Sequence, residues 1–252
     1  MATHQGLAQQ LQDSLQLVLP PIAVSFCDEI PDGIAPYQGD DIAAGCEFWE
    51  RASRSVFSTT AANHALCSIG VYTHNLADAP ATQQHELETT LGTMIGLDYI
   101  REQEVQSIPV VEKQSSYVVY GPLARISLAP DAVILFAHAQ QGLILSEAVE
   151  RIDENTPPAM GRPACAVIPQ VINQGRAAMS LGCCGARAYV DALTDNIALW
   201  ALPGSKLAAY ADQVETLARA NKTLTGFHQL RRADVEAGRQ PTVEESLQRV
   251  PS

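Results

Sequence analysis

Four of the six cysteines lie in three short segments whose residue types suit a chemical site: Gly45-Cys46-Glu47-Phe48-Trp49, His64-Ala65-Leu66-Cys67-Ser68-Ile69-Gly70 and Ser180-Leu181-Gly182-Cys183-Cys184-Gly185. Glycine or another turn-tolerant residue stands close to each thiol. Such neighbours let a bound group approach and let backbone N–H groups turn toward a thiolate or an anion. A buried thiol that packs as a small hydrophobe is the plainer alternative. It fits Cys27 best, inside the apolar run Ile22-Ala23-Val24-Ser25-Phe26-Cys27.

Three kinds of chemistry follow from these segments. Cys46, Cys67, Cys165 and one of Cys183 and Cys184 meet the count for a 4Fe–4S cluster or, alternatively, a closed zinc site. None of their separations is the close C-x-x-C pair of zinc ribbons or bacterial ferredoxins, so the thiolates would have to converge through the fold. His64 and His74 flank Cys67 and leave mixed ligation open. The second chemistry is metal-free: Cys67 and His64 as a thiolate–imidazolium pair in a thiol enzyme. A helix beginning at Cys67 would favour the thiolate, because helix N-termini lower a thiol's pKa. The third is anion binding by Arg187 with Gly182 and Gly185, where backbone N–H groups and a guanidinium can hold a carboxylate or phosphate together. Pairing of Arg187 with Asp191 or Asp195 is the competing explanation. Adjacent Cys183 and Cys184 could form only a strained, easily reduced disulfide, so one site thiol beside a packing neighbour is the simpler reading. The chain contains no G-x-G-x-x-G, Walker A, H-E-x-x-H or G-x-S-x-G pattern, which withdraws support from the common nucleotide-binding and hydrolase classes.

The elements that must position these residues can be read from periodicity. Leu7, Leu11, Leu15 and Val18 predict an amphipathic helix ended by Pro20-Pro21, followed by a strand from Ile22 to Phe26. Short helices are expected over 47–54 and 67–74, a short strand over 56–60, and polar helices over 82–94 and 99–105 as a surface excursion. Ser116–Tyr120 and Ala132–Phe136 read as buried strands, with helices over 141–152 and 163–173 after them. Further strands are expected over 177–181 and 197–202, and a long amphipathic helix over 206–220. The irregular alternation predicts an α+β or mixed α/β fold: one globular domain over 1–238, a central sheet flanked by helices, and a mobile polar tail over 239–252. A net charge of −12 over 252 residues opposes binding to nucleic acid. No apolar run is long enough to span a bilayer, and the N-terminus lacks an export pattern. A cytoplasmic, reducing location is therefore expected, which argues against a disulfide framework.

In order along the chain, Pro21-Ile22-Ala23-Val24-Ser25-Phe26, the Cys46 segment, Asn63-His64-Ala65-Leu66-Cys67-Ser68-Ile69-Gly70, Tyr120-Gly121-Pro122-Leu123, Pro130-Asp131-Ala132-Val133-Ile134 and Gly182-Cys183-Cys184-Gly185-Ala186-Arg187 through Leu202-Pro203-Gly204 resemble the uncharacterised prokaryotic family catalogued as domain of unknown function 169. The resemblance spans roughly Leu15 to Ala220. It points to Cys46, Cys67, Cys165 and Cys183 as the recurrent cysteines and implies no established reaction. Asn75 departs from it, standing where the family more often has glycine; Cys184 adds a rival ligand. The leading expectation is thus an iron–sulfur cluster on Cys46, Cys67, Cys165 and Cys183 in a redox or sulfur-related role. Arg187, Gly182, Gly185 and His74 would shape an adjacent pocket. A binding module for a small anionic metabolite or a tetrapyrrole-like cofactor is a further alternative. The partner would be a small molecule or a redox protein, and self-association is left open.

Overall fold

The computed structural model describes residues 3–250. Strand residues alternate between two hydrophobic layers, and that alternation organises the molecule. Ile22 and Val24 of β1 (Ile22–Cys27), Val118 and Tyr120 of β3 (Tyr117–Pro122), and Ile134 and Phe136 of β4 (Ala132–His138) are buried in one layer. Their neighbours Ala23, Val119, Val133 and Leu135 are buried in the other, as the two-residue period of a strand requires. Both faces are covered, so these strands read as unbroken apolar runs. With β2 (Phe57–Thr59), β5 (Ala159–Met160), β6 (Ala178–Ser180) and β7 (Ile197–Pro203) they form one mixed sheet in the order β2-β3-β1-β4-β7-β6-β5. Only the β5–β6 pair is parallel. The architecture is mixed α/β.

One face is closed by α1 (His4–Leu15), α6 (Ala139–Ile152) and α9 (Leu207–Glu236). Helix α1 buries Leu7, Leu11 and Leu15 at the spacing its sequence prescribes, and the Thr3 hydroxyl accepts the Gly6 N–H at its start. Asp153, just past α6, is buried on this side; it accepts from the Tyr210 hydroxyl at 2.6 Å, the Ala177 amide at 3.0 Å and Lys206 Nζ at 3.0 Å. The first half of α9 packs through Leu207, Tyr210, Ala211, Val214 and Leu217, but the helix continues to residue 236 rather than stopping near 220. Residues 239–252, read from their polarity as a tail, include α10 (Val243–Gln248). This segment is tied back through the buried Asp234, whose carboxylate meets Arg239 at 2.8 Å and Arg249 at 2.7 Å. Neither arginine stands in a periodic apolar pattern, so the sequence offered no signal for the contact.

The opposite face carries α2 (Glu47–Arg51), α3 (Ser68–His74), α7 (Val167–Gln174) and α8 (Cys184–Tyr189). From the end of α3 the chain runs out into α4 (Gln83–Gly96) and α5 (Glu102–Val105) and returns beside its point of departure. Leu76 bridges Ser115, the Ala77 N–H bonds to Ser115 O at 2.9 Å, and the Val111 N–H bonds to Thr73 O at 2.9 Å. Asn75 ends α3 in the left-handed region at φ 50°, a conformation that glycine adopts at no steric cost and asparagine tolerates. Its side chain also donates to Val111 O at 2.9 Å. Among the described residues no helix is long and apolar enough to cross a membrane.

Candidate functional site

All four cysteines named by the resemblance stand at helix starts on that second face. Cys46 precedes α2, Cys67 precedes α3, Cys183 precedes α8, and Cys165 lies in the 3-10 turn Ala164–Ala166 that leads into α7. The first amides of a helix have no intrahelical acceptor, so a side chain at the start is surrounded by free donors. Cys183 takes one as a cap, whereas Cys46 and Cys67 make no capping hydrogen bond of that kind. Cys67 is approached by the backbone N–H groups of Gly45 and Gly70. The Ala186 N–H meets Cys183 Sγ at 3.5 Å. Cys165 Sγ accepts from the Thr73 hydroxyl at 3.4 Å, and Cys46 and Cys165 each also turn toward their own amide. Upstream of Cys46, Glu47 Oε1 accepts from the amides of Ala43 at 2.9 Å and Ala44 at 3.0 Å and so fixes the approach of the loop.

The four thiols line one cavity of about 440 Å³. Burial pushes the Cys46 and Cys165 thiols far up, and mutual repulsion with the neighbouring cysteines pushes them further. Cys67 is also raised: burial outweighs the lowering by the two glycine amides. The expectation that a helix start would make Cys67 a thiolate is therefore corrected, because desolvation of the charge exceeds what two N–H donors return. Cys183 is the member of the vicinal pair that adds charge to Cys46, Cys67 and Cys165. Cys184 is exposed at the cavity wall, and Cys27 lies elsewhere, at the end of β1.

Two glycines make room for Cys67. A Cβ on Gly45 would lie 2.7 Å from His64 Nδ1 and 3.9 Å from Cys67 Sγ, and one on Gly70 would lie 3.0 Å from that sulfur. His64 is fully buried, its ring 4.7 Å from that of Phe48. The Thr59 hydroxyl donates to Val118 O at 3.3 Å and accepts from His64 Nε2 at 3.1 Å, so the proton of His64 is on Nε2 and its Nδ1 is left without a partner. In His74 the assignment is reversed: Nδ1 donates to Gly70 O at 2.9 Å and Nε2 has no partner. Burial holds both imidazoles neutral, His64 well below its ordinary value and His74 down to about 4. His64 makes no hydrogen bond with Cys67, and both shifts oppose an ion pair. The arrangement withholds support from the thiolate–imidazolium pair.

Tyr120, on β3, does not line the cavity. It is fully buried and stacks on Phe48 at 5.7 Å, and its hydroxyl has no hydrogen-bond partner. Burial first, then the charges of Cys165, Cys67 and Cys46, push that hydroxyl upward. Strand alternation would have placed Tyr120 on the same face as Val118, but nothing in the sequence says which loops cross above it.

Arg187 does not line the cavity. Its guanidinium donates to the carbonyls of Thr194 at 2.8 Å, Ile197 at 3.2 Å, Leu193 at 3.3 Å and Leu181. Those bonds fasten the loop between β6 and β7, and neither the expected anion site nor a pair with Asp191 or Asp195 is formed. Gly182 serves the same packing: at φ 88°, a Cβ there would meet Leu193 and Arg187 within 3.1 Å. Gly185 and His74 do line the cavity. The outer wall is apolar, from Leu91, Met94, Tyr99, Ile100 and Ile108 of the α4–α5 excursion facing Met160. Arg162 closes its edge, with its guanidinium 4.9 Å from the centre of the Tyr99 ring and 4.0 Å from Glu104.

Among the described residues no three His, Cys, Asp or Glu side chains are grouped so as to hold a single metal ion. The ligands of a four-iron cluster have a looser requirement, since each cysteine bonds a different iron and the four sulfurs surround a group larger than one ion. Four cysteines from separate segments around one cavity, two of them with N–H or O–H donors to sulfur, meet that requirement.

A family model described as uncharacterised ArCR, domain of unknown function 169, matches residues 10–213. No curated protein and no solved structure gives a match.

Proposed function

The chain belongs to the uncharacterised ArCR family, domain of unknown function 169, and we propose that it is an iron–sulfur protein in which Cys46, Cys67, Cys165 and Cys183 hold a 4Fe–4S cluster beside a small-ligand chamber. The observation that carries the reading is the convergence of four thiols, from four separate segments, on one cavity. A plain core has no use for thiols gathered so closely that the charge of neighbouring cysteines pushes Cys46, Cys67 and Cys165 upward. A metal that draws off their protons turns that repulsion into binding energy. When bound, the cluster would supply one-electron transfer or a Lewis-acidic iron.

The chain's own residues set the conditions around it. The Ala186 amide and the Thr73 hydroxyl hold the sulfurs of Cys183 and Cys165, and the amides of Gly45 and Gly70 favour negative charge on Cys67. Leu91, Met94, Tyr99 and Ile100 give the cavity an apolar wall that suits an apolar molecule. At the chamber's edge Arg162 is already paired with Glu104 and the Tyr99 carbonyl, so an apolar molecule suits the chamber better than the small anionic metabolite that Arg187 suggested.

Iron and acid-labile sulfide should be measured in protein purified without oxygen and again after reconstitution with iron and sulfide. Equal iron and sulfide, a brown chromophore, and loss of both in the Cys46→Ser, Cys67→Ser double variant are expected. Protein that retains neither after reconstitution would overturn the proposal.

A further inference from the structure

We infer that the guest of the chamber is an uncharged, apolar molecule carrying a hydrogen-bond donor, O–H or N–H, which it gives to His74 Nε2, with Gln170 Oε1 as a second acceptor of the same kind. The inference deepens the small-ligand half of the proposed function and rests on the chamber rather than on the iron.

Both residues line the cavity, and each carries a buried acceptor without a partner. His74 is 2% exposed; its Nδ1 turns back to donate to Gly70 O at 2.9 Å, so the lone pair of the neutral ring is on Nε2. The Phe26 ring, 5.6 Å away between centroids, packs against the imidazole. In Gln170 the amide nitrogen donates to Met160 O at 2.9 Å, which leaves the carbonyl oxygen as the free end. Among the described residues these are the cavity-lining side chains that hold a buried, unpartnered polar atom, and both atoms are acceptors. The orphaned donors Trp49 Nε1, Trp200 Nε1 and the Tyr120 hydroxyl belong to residues that do not line it.

The complement of a lone pair is a donor. Water can supply one, and a guest that displaces that water loses affinity unless it brings a donor of its own. The rest of the wall restricts the guest further. Leu91, Met94, Ile100 and Ile108 offer apolar surface, against which an unpaired charge is costly to bury. Arg162 at the edge is already engaged by Glu104 and the Tyr99 carbonyl. An apolar body with a neutral donor satisfies the wall and the acceptors together.

The probes are 2-naphthol and its methyl ether, which share one apolar ring system and differ in the O–H. Equilibrium dialysis should be run against protein reconstituted with iron and sulfide and against untreated protein, with iron measured in every sample. 2-Naphthol should bind roughly tenfold more tightly than the ether, as one buried hydrogen bond implies, and His74→Phe should bring the two close to parity. Equal binding by wild type, binding of neither probe, or a preference that survives in folded His74→Phe protein would refute the inference. Should the variant not fold, the nitrogen resonance of His74 Nε2 in labelled wild type decides: 2-naphthol should move it and the ether should not, and a resonance that answers to neither would refute the role. Loss of iron from folded His74→Phe protein, with the preference intact, would make His74 an iron ligand instead. Discrimination by protein that retains no iron after reconstitution would overturn the cluster alone, and a loaded protein that treats both probes alike would overturn the guest alone.

Discussion

Gly45→Ala tests the packing around Cys67 most directly. The added methyl would stand 2.7 Å from His64 Nδ1 and 3.2 Å from its Cε1. Gly45 is not at positive φ, so the strain is one of contact rather than of backbone conformation. The ring cannot swing aside cheaply: it is fully buried, held to Thr59 through Nε2, and flanked by Phe48. Relief requires either a backbone shift or loss of the Thr59 bond. Overpacking costs about 1–3 kcal/mol and a lost neutral hydrogen bond about 1 kcal/mol. Together they give a destabilisation of about 2–4 kcal/mol, or a fall of roughly 5–15 °C in melting temperature for a chain of this size. Thermal and urea unfolding followed by circular dichroism should be run in wild-type and His64→Ala backgrounds. With the ring gone, most of the cost of the methyl should vanish. An equal cost in both backgrounds would refute the contact as its origin. Gly70→Ala provides the contrast: its methyl meets the Cys67 sulfur at 3.0 Å, while alanine within α3 returns up to about 1 kcal/mol of helix propensity. Little change in stability is expected there, with the perturbation falling on Cys67.

Further outcomes follow from other parts of the fold. Alkylation of the native, metal-free protein at neutral pH should strike the exposed Cys184 first and leave Cys46 and Cys165 unmodified; faster labelling of Cys67 than of Cys184 would restore the thiol-enzyme alternative. For Asp153, burial pushes the carboxyl upward, but the Tyr210 hydroxyl, the Ala177 amide and Lys206 outweigh it and leave the folded pKa below the ordinary value. Its stabilisation is thus present above the unfolded pKa of about 3.9 and fades as pH falls through the lower folded value. The stability gap between wild type and Asp153→Asn in denaturant titrations should be full at pH 6 and narrow below about pH 4; a gap that widens in acid would contradict the sign. Arg187→Ala should destabilise by roughly 1.5–3 kcal/mol through its orphaned carbonyls without changing iron content, and selective loss of iron at unaltered stability would place Arg187 in the site after all.

Strand alternation and helical spacing were legible because burial imposes a period on them. Leu7, Leu11 and Leu15, or Ile22 through Phe26, announce their elements locally. The cysteines were legible as a set only through residue type and neighbouring glycines; their convergence depends on the sheet order, which no local pattern encodes. Arg187 failed as an anion site because its partners are backbone carbonyls, which have no sequence identity. Tyr120 was visible as a strand residue, but no local pattern says that it stacks on Phe48. The continuation of α9 and the return of α10 hang on Asp234, a single polar residue buried between two arginines, which periodicity reads as surface.

The excursion that roofs the chamber begins and ends at one joint, Leu76 against Ser115. A segment closed at its base in this way transmits little of its own length to the rest of the chain. Each doubling of a flexible loop adds only about 0.6 kcal/mol of closure entropy, and neither the sheet register nor any of the four cysteines lies between those two residues. The roof is therefore an exchangeable part. Insertions, deletions or new side chains between residues 78 and 110 can redraw the space available to a guest molecule, while the sulfur-bearing floor keeps its form. On the proposed reading, selectivity would sit in one replaceable piece of the fold and chemistry in another.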